Sequence, residues 1–209
     1  MTEYKRSKLM RCSLIMVLCI SVMQLKSQDD WTLKRNEDGI KVFTAPNGSS
    51  GFKKIKVEAS FPGSIEKLKA ILLDVAHNKD WVYHTRESRL VEKVSDNELL
   101  YYAQTSLPWP FSNRDIVIRM RFQPDSSGKN MLVTQVGEPN ITAVNNGIVR
   151  ISELNATWEV KEDPANHVNI TYYLNVNPAG SISSGVSNMF VTKGPFNTFS
   201  NLAQLLKSR

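Results

Sequence analysis

Few residues of this chain have the types and spacing that chemistry demands. Its three histidines, His77, His84 and His167, show no His-x-His or His-x-x-x-His spacing that would bring two imidazoles to one metal. His77 and His84 flank Asp80 and Trp81 and read as a solvated helix end, so no metal site is expected. Arg114-Asp115 is the charged pair with the clearest setting, at the start of an apolar run. Asp115 is the right type for a general base, as a hydrolase or cyclase needs. The pair's other reading is a structural clamp that pins a loop to a sheet. Ser183-Ser184-Gly185 lacks the flanking glycine of a nucleophile elbow, and no glycine-rich phosphate loop occurs. No cofactor is implied.

The clamp pair closes the most informative segment, Leu107-Pro108-Trp109-Pro110-Phe111-Ser112-Asn113-Arg114-Asp115. Two prolines hold the backbone extended and supply no N–H, which excludes both helix and central strand. The segment is therefore a rigid aromatic connector between two strands, with Trp109, Arg114 and Asp115 as its structural residues. The strand it feeds runs Ile116-Val117-Ile118-Arg119-Met120-Arg121-Phe122. Ile116, Ile118, Met120 and Phe122 share one face of that strand and Val117, Arg119 and Arg121 the other. Before the connector, Leu99, Tyr101, Ala103 and Thr105 share a face in the same way.

The whole-chain charge of +6 misleads. Lys5, Arg6, Lys8 and Arg11 precede an uncharged run from Cys12 to Val22. A basic stub before a short apolar run is a secretory signal peptide, and the run is shorter than the roughly 20 residues a membrane span needs. Cleavage is expected between Met23 and Asp29, best at Ser27-Gln28, giving a leader of residues 1–27 and a domain of residues 28–209. A secreted or periplasmic address follows, and the compact leader is bacterial in type. The leader holds five of the 26 basic residues and one of the 20 acidic ones, so the remainder carries a formal +2. That near-neutral balance gives no reason to expect nucleic acid. Cys12 and Cys19 both lie in the leader, so the mature chain has no thiol for a disulfide, a nucleophile or a metal.

About 180 residues remain, enough for one domain with a substantial core. Asp38-Gly39 is a turn before a strand at Ile40–Phe43, and Phe52 to Phe61 alternates as another. Pro62-Gly63 stops it. Ser64 is an N-cap, with Glu66 in the first turn and Leu68, Ile71, Leu72 and Val75 at helical spacing to about His77-Asn78. Strands follow at 88–95, 98–106, 115–122, 130–137, 148–160 and 167–176, and Asp96-Asn97 is a hairpin turn. An antiparallel meander is the simplest topology. Beyond Pro178-Ala179-Gly180 the period returns to helix, with Val186, Met189, Phe190, Phe196, Phe199, Leu202, Leu205 and Leu206 on one long helix that Gly194-Pro195 kinks. The class is α+β: an antiparallel sheet whose buried face one long C-terminal helix must cover.

The connector resembles the Pro-Trp-Pro…Arg-Asp signature of the START family, the StAR-related lipid-transfer domains. The likeness extends over about Asp30 to Lys207, through Trp81, Val149-Arg150-Ile151 leading to Trp158, and the Leu174–Gly180 approach to the last helix. It implies the helix-grip fold, a curved antiparallel sheet wrapped around the C-terminal helix with a space between them. It also implies a hydrophobic ligand, a lipid, held for transfer or sensing by a protein that is not an enzyme. In one respect the chain departs from the family. Some members place an acid and an arginine inside the cavity; here those positions fall on Tyr101 and Met120. The same fold also hosts aromatic polyketide cyclases, which is the alternative reading.

On this reading the cavity wall comprises Leu99, Tyr101, Ala103, Thr105, Ile116, Ile118, Met120 and Phe122, with Met189, Phe190, Phe196 and Phe199 on the helix side. Burying one methylene is worth about 0.8 kcal/mol, so a sixteen-carbon chain offers about 13 kcal/mol gross without any catalytic apparatus. Tyr101, Tyr102, Thr105 and Asn175 are the candidates for a polar contact. Gly185, Gly194-Pro195 and the loop at Asn140–Gly147 are the candidate hinges for release. A transient membrane contact goes with this reading, and Lys53, Lys54 and Lys56 form the basic cluster nearest to one, although lysines on an outward strand face also serve as edge protection. The chain is expected to be a monomer. Asn47, Asn140, Asn155 and Asn169 head Asn-x-Ser/Thr triplets, which matter only in a eukaryotic secretory pathway.

Overall fold

The computed structural model describes residues 30–48, 50–180, 182, 188 and 191–208. Residues 1–27, the expected leader, and Gly185, Met189 and Phe190 lie outside the described residues. The elements in order are β1 (Thr32–Glu37), β2 (Ile40–Pro46), β3 (Lys53–Pro62), α1 (Ile65–Leu73), a single tight turn (Val75–His77) and α2 (Asn78–Trp81). Then come β4 (Thr85–Ser95), β5 (Glu98–Thr105), β6 (Arg114–Pro124), β7 (Asn130–Gly137), β8 (Val149–Arg150), β9 (Glu153–Glu162), β10 (His167–Asn177) and α3 (Lys193–Ser208).

The strands form one curved, almost wholly antiparallel sheet in the order β1-β2-β3-β10-β9-β7-β6-β5-β4, with β8 beside the start of β6. Two meanders are thus joined where β3 pairs with β10, from Ile55 opposite Leu174 to Pro62 opposite His167. Strand alternation sorts the side chains. On the concave face Val57, Phe61, Met120, Val133, Val160 and Ile170 belong to one core, which continues into Leu68, Ile71 and Leu72 of α1 and Phe199, Leu202 and Leu206 of α3. The convex face carries a small cluster of Leu100, Tyr102 and Val117 and a charged network in which Arg119 donates to Glu98 at 2.7 Å and Glu138 at 2.8 Å.

The first helix starts where its cap dictates. Ser64 is extended, and its hydroxyl accepts the Lys67 N–H at 3.3 Å. The Ile65 N–H, another donor that the first turn leaves without an intrahelical partner, is taken by Glu162 at 2.9 Å, which fastens the helix to the end of β9. The helix is shorter than its apolar spacing suggests. It gives way at Asp74 to the tight turn and then α2, so Val75 and Trp81 are buried from separate segments.

Three further differences from the sequence reading have clear causes. The first strand, β1, is polar and largely exposed, so no alternation marks it; it forms because Asp38 and Gly39, both at positive φ, close a two-residue hairpin onto β2. The expected strand at 148–160 is two elements, and β8 runs parallel to β6, Arg114 opposite Val149, so the sheet is not a pure meander. In the described part of the last helix, Gly194-Pro195 lies in the first turn of α3 and does not kink it. A proline is tolerated there because a first-turn N–H has no intrahelical partner to lose.

Leu202 is fully buried where α3 meets the sheet. Leu202→Ala is expected to cost about 2–5 kcal/mol, read as a lower urea midpoint at unchanged slope.

Candidate functional site

Between the concave face, α2 and α3 lies a cavity of about 380 Å³. Its walls follow from the parity of the strands. Tyr101, Ala103 and Thr105 of β5 and Ile116, Ile118 and Met120 of β6 line it, as does Phe199 of α3. Leu99, Phe122 and Phe196 also point inward but lie in packed core beyond it. The cause is local in each case. Leu99 and Phe122 sit near the Asn97 turn, where Lys69 of α1 reaches over the Phe122 ring at 5.7 Å. Phe196 is covered by the Arg35 guanidinium of β1, 3.2 Å from its ring centre.

Several lining residues carried no sequence signal as site residues. Ile55, Leu174 and Val176 come from β3 and β10, and Gln135, Trp158 and Tyr172 from β7, β9 and β10. Trp158 stacks on Phe199 with ring centres 5.3 Å apart, and Tyr172 lies 4.6 Å from Trp158 and 5.6 Å from Phe199. This aromatic trio holds α3 against the sheet. Beside it the Trp158 indole N–H donates to Gln135 Oε1 at 3.1 Å, and Gln135 Nε2 donates to the Tyr101 hydroxyl at 3.1 Å. Burial pushes the Tyr101 phenol well above its ordinary pKa; burial, then the neighbouring Tyr101, does the same to Tyr172. Both are neutral at any physiological pH. Gln135 was legible in one respect, being a polar residue on the same face as buried Met131 and Val133.

The other polar candidates do not reach the cavity. Tyr102 is on the convex face, and the Asn175 side-chain Oδ1 accepts from Asn47 Nδ2 at 2.7 Å. At the connector end His84 lies at the rim, exposed, with its ring 4.1 Å from that of Tyr83 and Nδ1 3.1 Å from the Ser106 carbonyl. The α3 side of the rim is latched to the α2 segment. Tyr83 N–H donates to Thr198 Oγ1 at 3.1 Å, and Asn201 Nδ2 donates to the Trp81 carbonyl at 3.0 Å.

Arg114 and Asp115 do not pair with each other. Adjacent strand residues project to opposite faces, and each fastens something different. Arg114 is buried at the cavity wall and donates to the carbonyls of Ser112, Pro178 and Ala179, tying the connector to the segment that leads toward α3. Gly180, at φ +65°, permits this approach, since a Cβ there would lie 3.1 Å from Val149 and 3.4 Å from the Arg114 guanidinium. Asp115 is fully buried on the convex side. Its carboxylate takes two hydrogen bonds from Arg150, at 2.6 and 3.1 Å, and one from the Tyr102 hydroxyl at 3.2 Å. Arg150 also donates to the carbonyls of Pro139, Thr142 and Ala143, so the pair pins the 138–148 loop to the sheet. The hydrogen bond to Asp115 raises the Arg150 pKa. Trp109 plays no part in either clamp: at the tip of the connector its indole is 92% exposed.

The family model of the START domain matches residues 19–208. The chain belongs to the START domain family. An uncharacterized protein of Pseudomonas aeruginosa is 25% identical over 87% of this chain and 89% of its own length. The phosphatidylcholine transfer protein of Bos taurus is 28% identical over 78% of each chain. A solved STAR-related lipid transfer protein fragment from Xanthomonas axonopodis superposes with a TM-score of 0.79 at 28% identity, covering 86% of this chain and all of that one. This START domain thus shares its curved sheet and C-terminal helix with solved relatives, while its convex-side clamp and inner polar cluster are read from its own residues.

Removing one member of the buried pair leaves the other charge uncompensated. Asp115→Asn is expected to lower stability by about 3–5 kcal/mol in urea unfolding, and the double variant with Arg150→Met to lose less than the two single changes combined.

Proposed function

We propose that this START domain binds a lipid in the cavity between the sheet and α3 and carries or senses it, without catalysing a reaction. The observation that carries the reading is the character of the wall. A mostly apolar space is backed by a neutral hydrogen-bonding cluster, and the Asp115 carboxylate, the candidate base for a cyclase, is on the opposite face of the sheet. Relatives that carry lipid-transfer names over most of their length support the same reading. The basic leader and its apolar run support export, to the periplasm or the medium, as the setting in which it works.

Transfer requires contact with a membrane, and the connector end is the side suited to it. Trp109 stands exposed beside the rim, and Ile141 and Val144 are exposed on the loop that adjoins the connector through the Val149 N–H to Asn113 carbonyl bond. A tryptophan with its ring free is the side chain that settles best at a membrane–water interface. The lysine cluster contributes less than its sequence suggests. Lys56 is paired with Glu58 at 2.7 Å and lies 4.2 Å over the Phe43 ring.

Protein purified from its own host is expected to carry a lipid visible in native mass spectrometry; a clean apo mass with no binding across a lipid panel overturns the proposal. Trp109→Ser is expected to fold normally yet to lose vesicle binding and transfer rate several-fold, measured with fluorescent lipid between donor and acceptor vesicles.

A further inference from the structure

The cavity has two chemically different ends. At the connector end Arg114 is the one formally charged side chain among the described lining residues, and the carbonyls of Ser112, Pro178 and Ala179 occupy its fork. Four to six residues further along β6, about 13–20 Å at the usual rise per residue, lies the Tyr101–Gln135–Trp158 cluster beside Tyr172. No Asp, Glu or Lys is among the described residues around the space.

The hydrogen-bond directions in that cluster are forced. An indole N–H only donates, so Gln135 must turn its oxygen to Trp158 and its NH₂ to Tyr101. The Tyr101 oxygen is therefore an acceptor, and its own proton is left to donate. The Met120 sulfur, 3.5 Å from the same NH₂, adds no charge to the cluster. An ionised group brought here would lose its hydration and meet only phenols and an amide, which return far less than that loss. An uncharged oxygen loses little and gains a donor. The described walls bound about 380 Å³, within the roughly 300–1,000 Å³ that ligand pockets span and room for one acyl chain or one fused-ring body beside the cluster.

We infer that the inner end recognises an uncharged hydroxyl or carbonyl oxygen on a single-chain or fused-ring lipid, and that this START domain does not carry a two-chain zwitterionic phospholipid. The inference rests on the lipid-carrier reading and narrows it to a ligand class different from the one its phosphatidylcholine-transfer relatives are named for.

Trp81 and Trp158 line the cavity, so intrinsic fluorescence follows occupancy, and native mass spectrometry gives stoichiometry. The probes are hexadecanol, methyl hexadecanoate, hexadecanoate held ionised above about pH 8, and vesicles of dipalmitoylphosphatidylcholine. Hexadecanol and the ester are expected to bind one to one, ionised hexadecanoate at least tenfold more weakly, and the phospholipid not to be extracted. Tyr101→Phe is expected to weaken hexadecanol roughly fivefold, the worth of one neutral hydrogen bond, and to leave the binding of ionised hexadecanoate unchanged. Tyr172→Phe is the second variant should the first unfold. Phosphatidylcholine bound as tightly as the alcohol overturns the inference and leaves the carrier reading standing. Unchanged alcohol affinity in the folded phenylalanine variant overturns the assignment of the polar end. Failure of every probe sinks the carrier reading itself.

Discussion

The buried ion pair between Asp115 and Arg150 is the constraint on which the rest of the site depends. Neither charge is tolerable in its place without the other. Together they fix the first residues of β6, hold β8 parallel beside them and tie down the loop between β7 and β8. Once Asp115 is committed to the convex side, strand geometry leaves no choice for its neighbours: Arg114, Ile116, Ile118 and Met120 must face the cavity. A charge pair with no contact to ligand thereby sets the register of the surface that ligand meets. Gly180 and the Arg114 carbonyl bonds complete the same device from the other face.

The cavity persists because its boundary is stiff in different ways on different sides. On the sheet side, paired strands and the Gln135 bridge hold the wall. On the helix side, the stacked Trp158–Phe199 pair and the Thr198 and Asn201 hydrogen bonds hold α3 down. Interiors of proteins are normally packed to crystal density, so apolar side chains that stop short of one another mark a place where packing has been forgone. Neutral hydrogen bonds inside such a space restrict what may fill it without imposing the desolvation cost of a charge.

Much of this was legible in the sequence, and what was not has physical reasons. Alternation in β5 and β6 places the cavity strands correctly, because period-two patterns survive any tertiary arrangement. It does not say where along a strand the space ends, so Leu99 and Phe122 share the face of Tyr101 and Met120 and yet are plain core. The Arg114-Asp115 dipeptide reads as one pair in sequence although neighbouring strand residues cannot face the same way. Its most distant partners, Arg150 and the Pro178–Ala179 carbonyls, are 35 and 64–65 residues away, beyond what local spacing encodes. β1 was invisible because its exposed face and its edge position ask for polar residues, and polar residues carry no period.

The seam between β3 and β10 has a consequence for how the chain acquires its shape. Those strands are separated by about a hundred residues of chain, and their pairing joins the two meanders into one sheet. Closing so long a loop costs entropy before any contact repays it. The amino-terminal meander therefore leaves the ribosome with the inner edge of β3 unpaired, and it stays so until the last strand has been made. A fold of such high contact order forms slowly. Until then that edge is open to pairing with another chain, the ordinary hazard of a strand left uncovered.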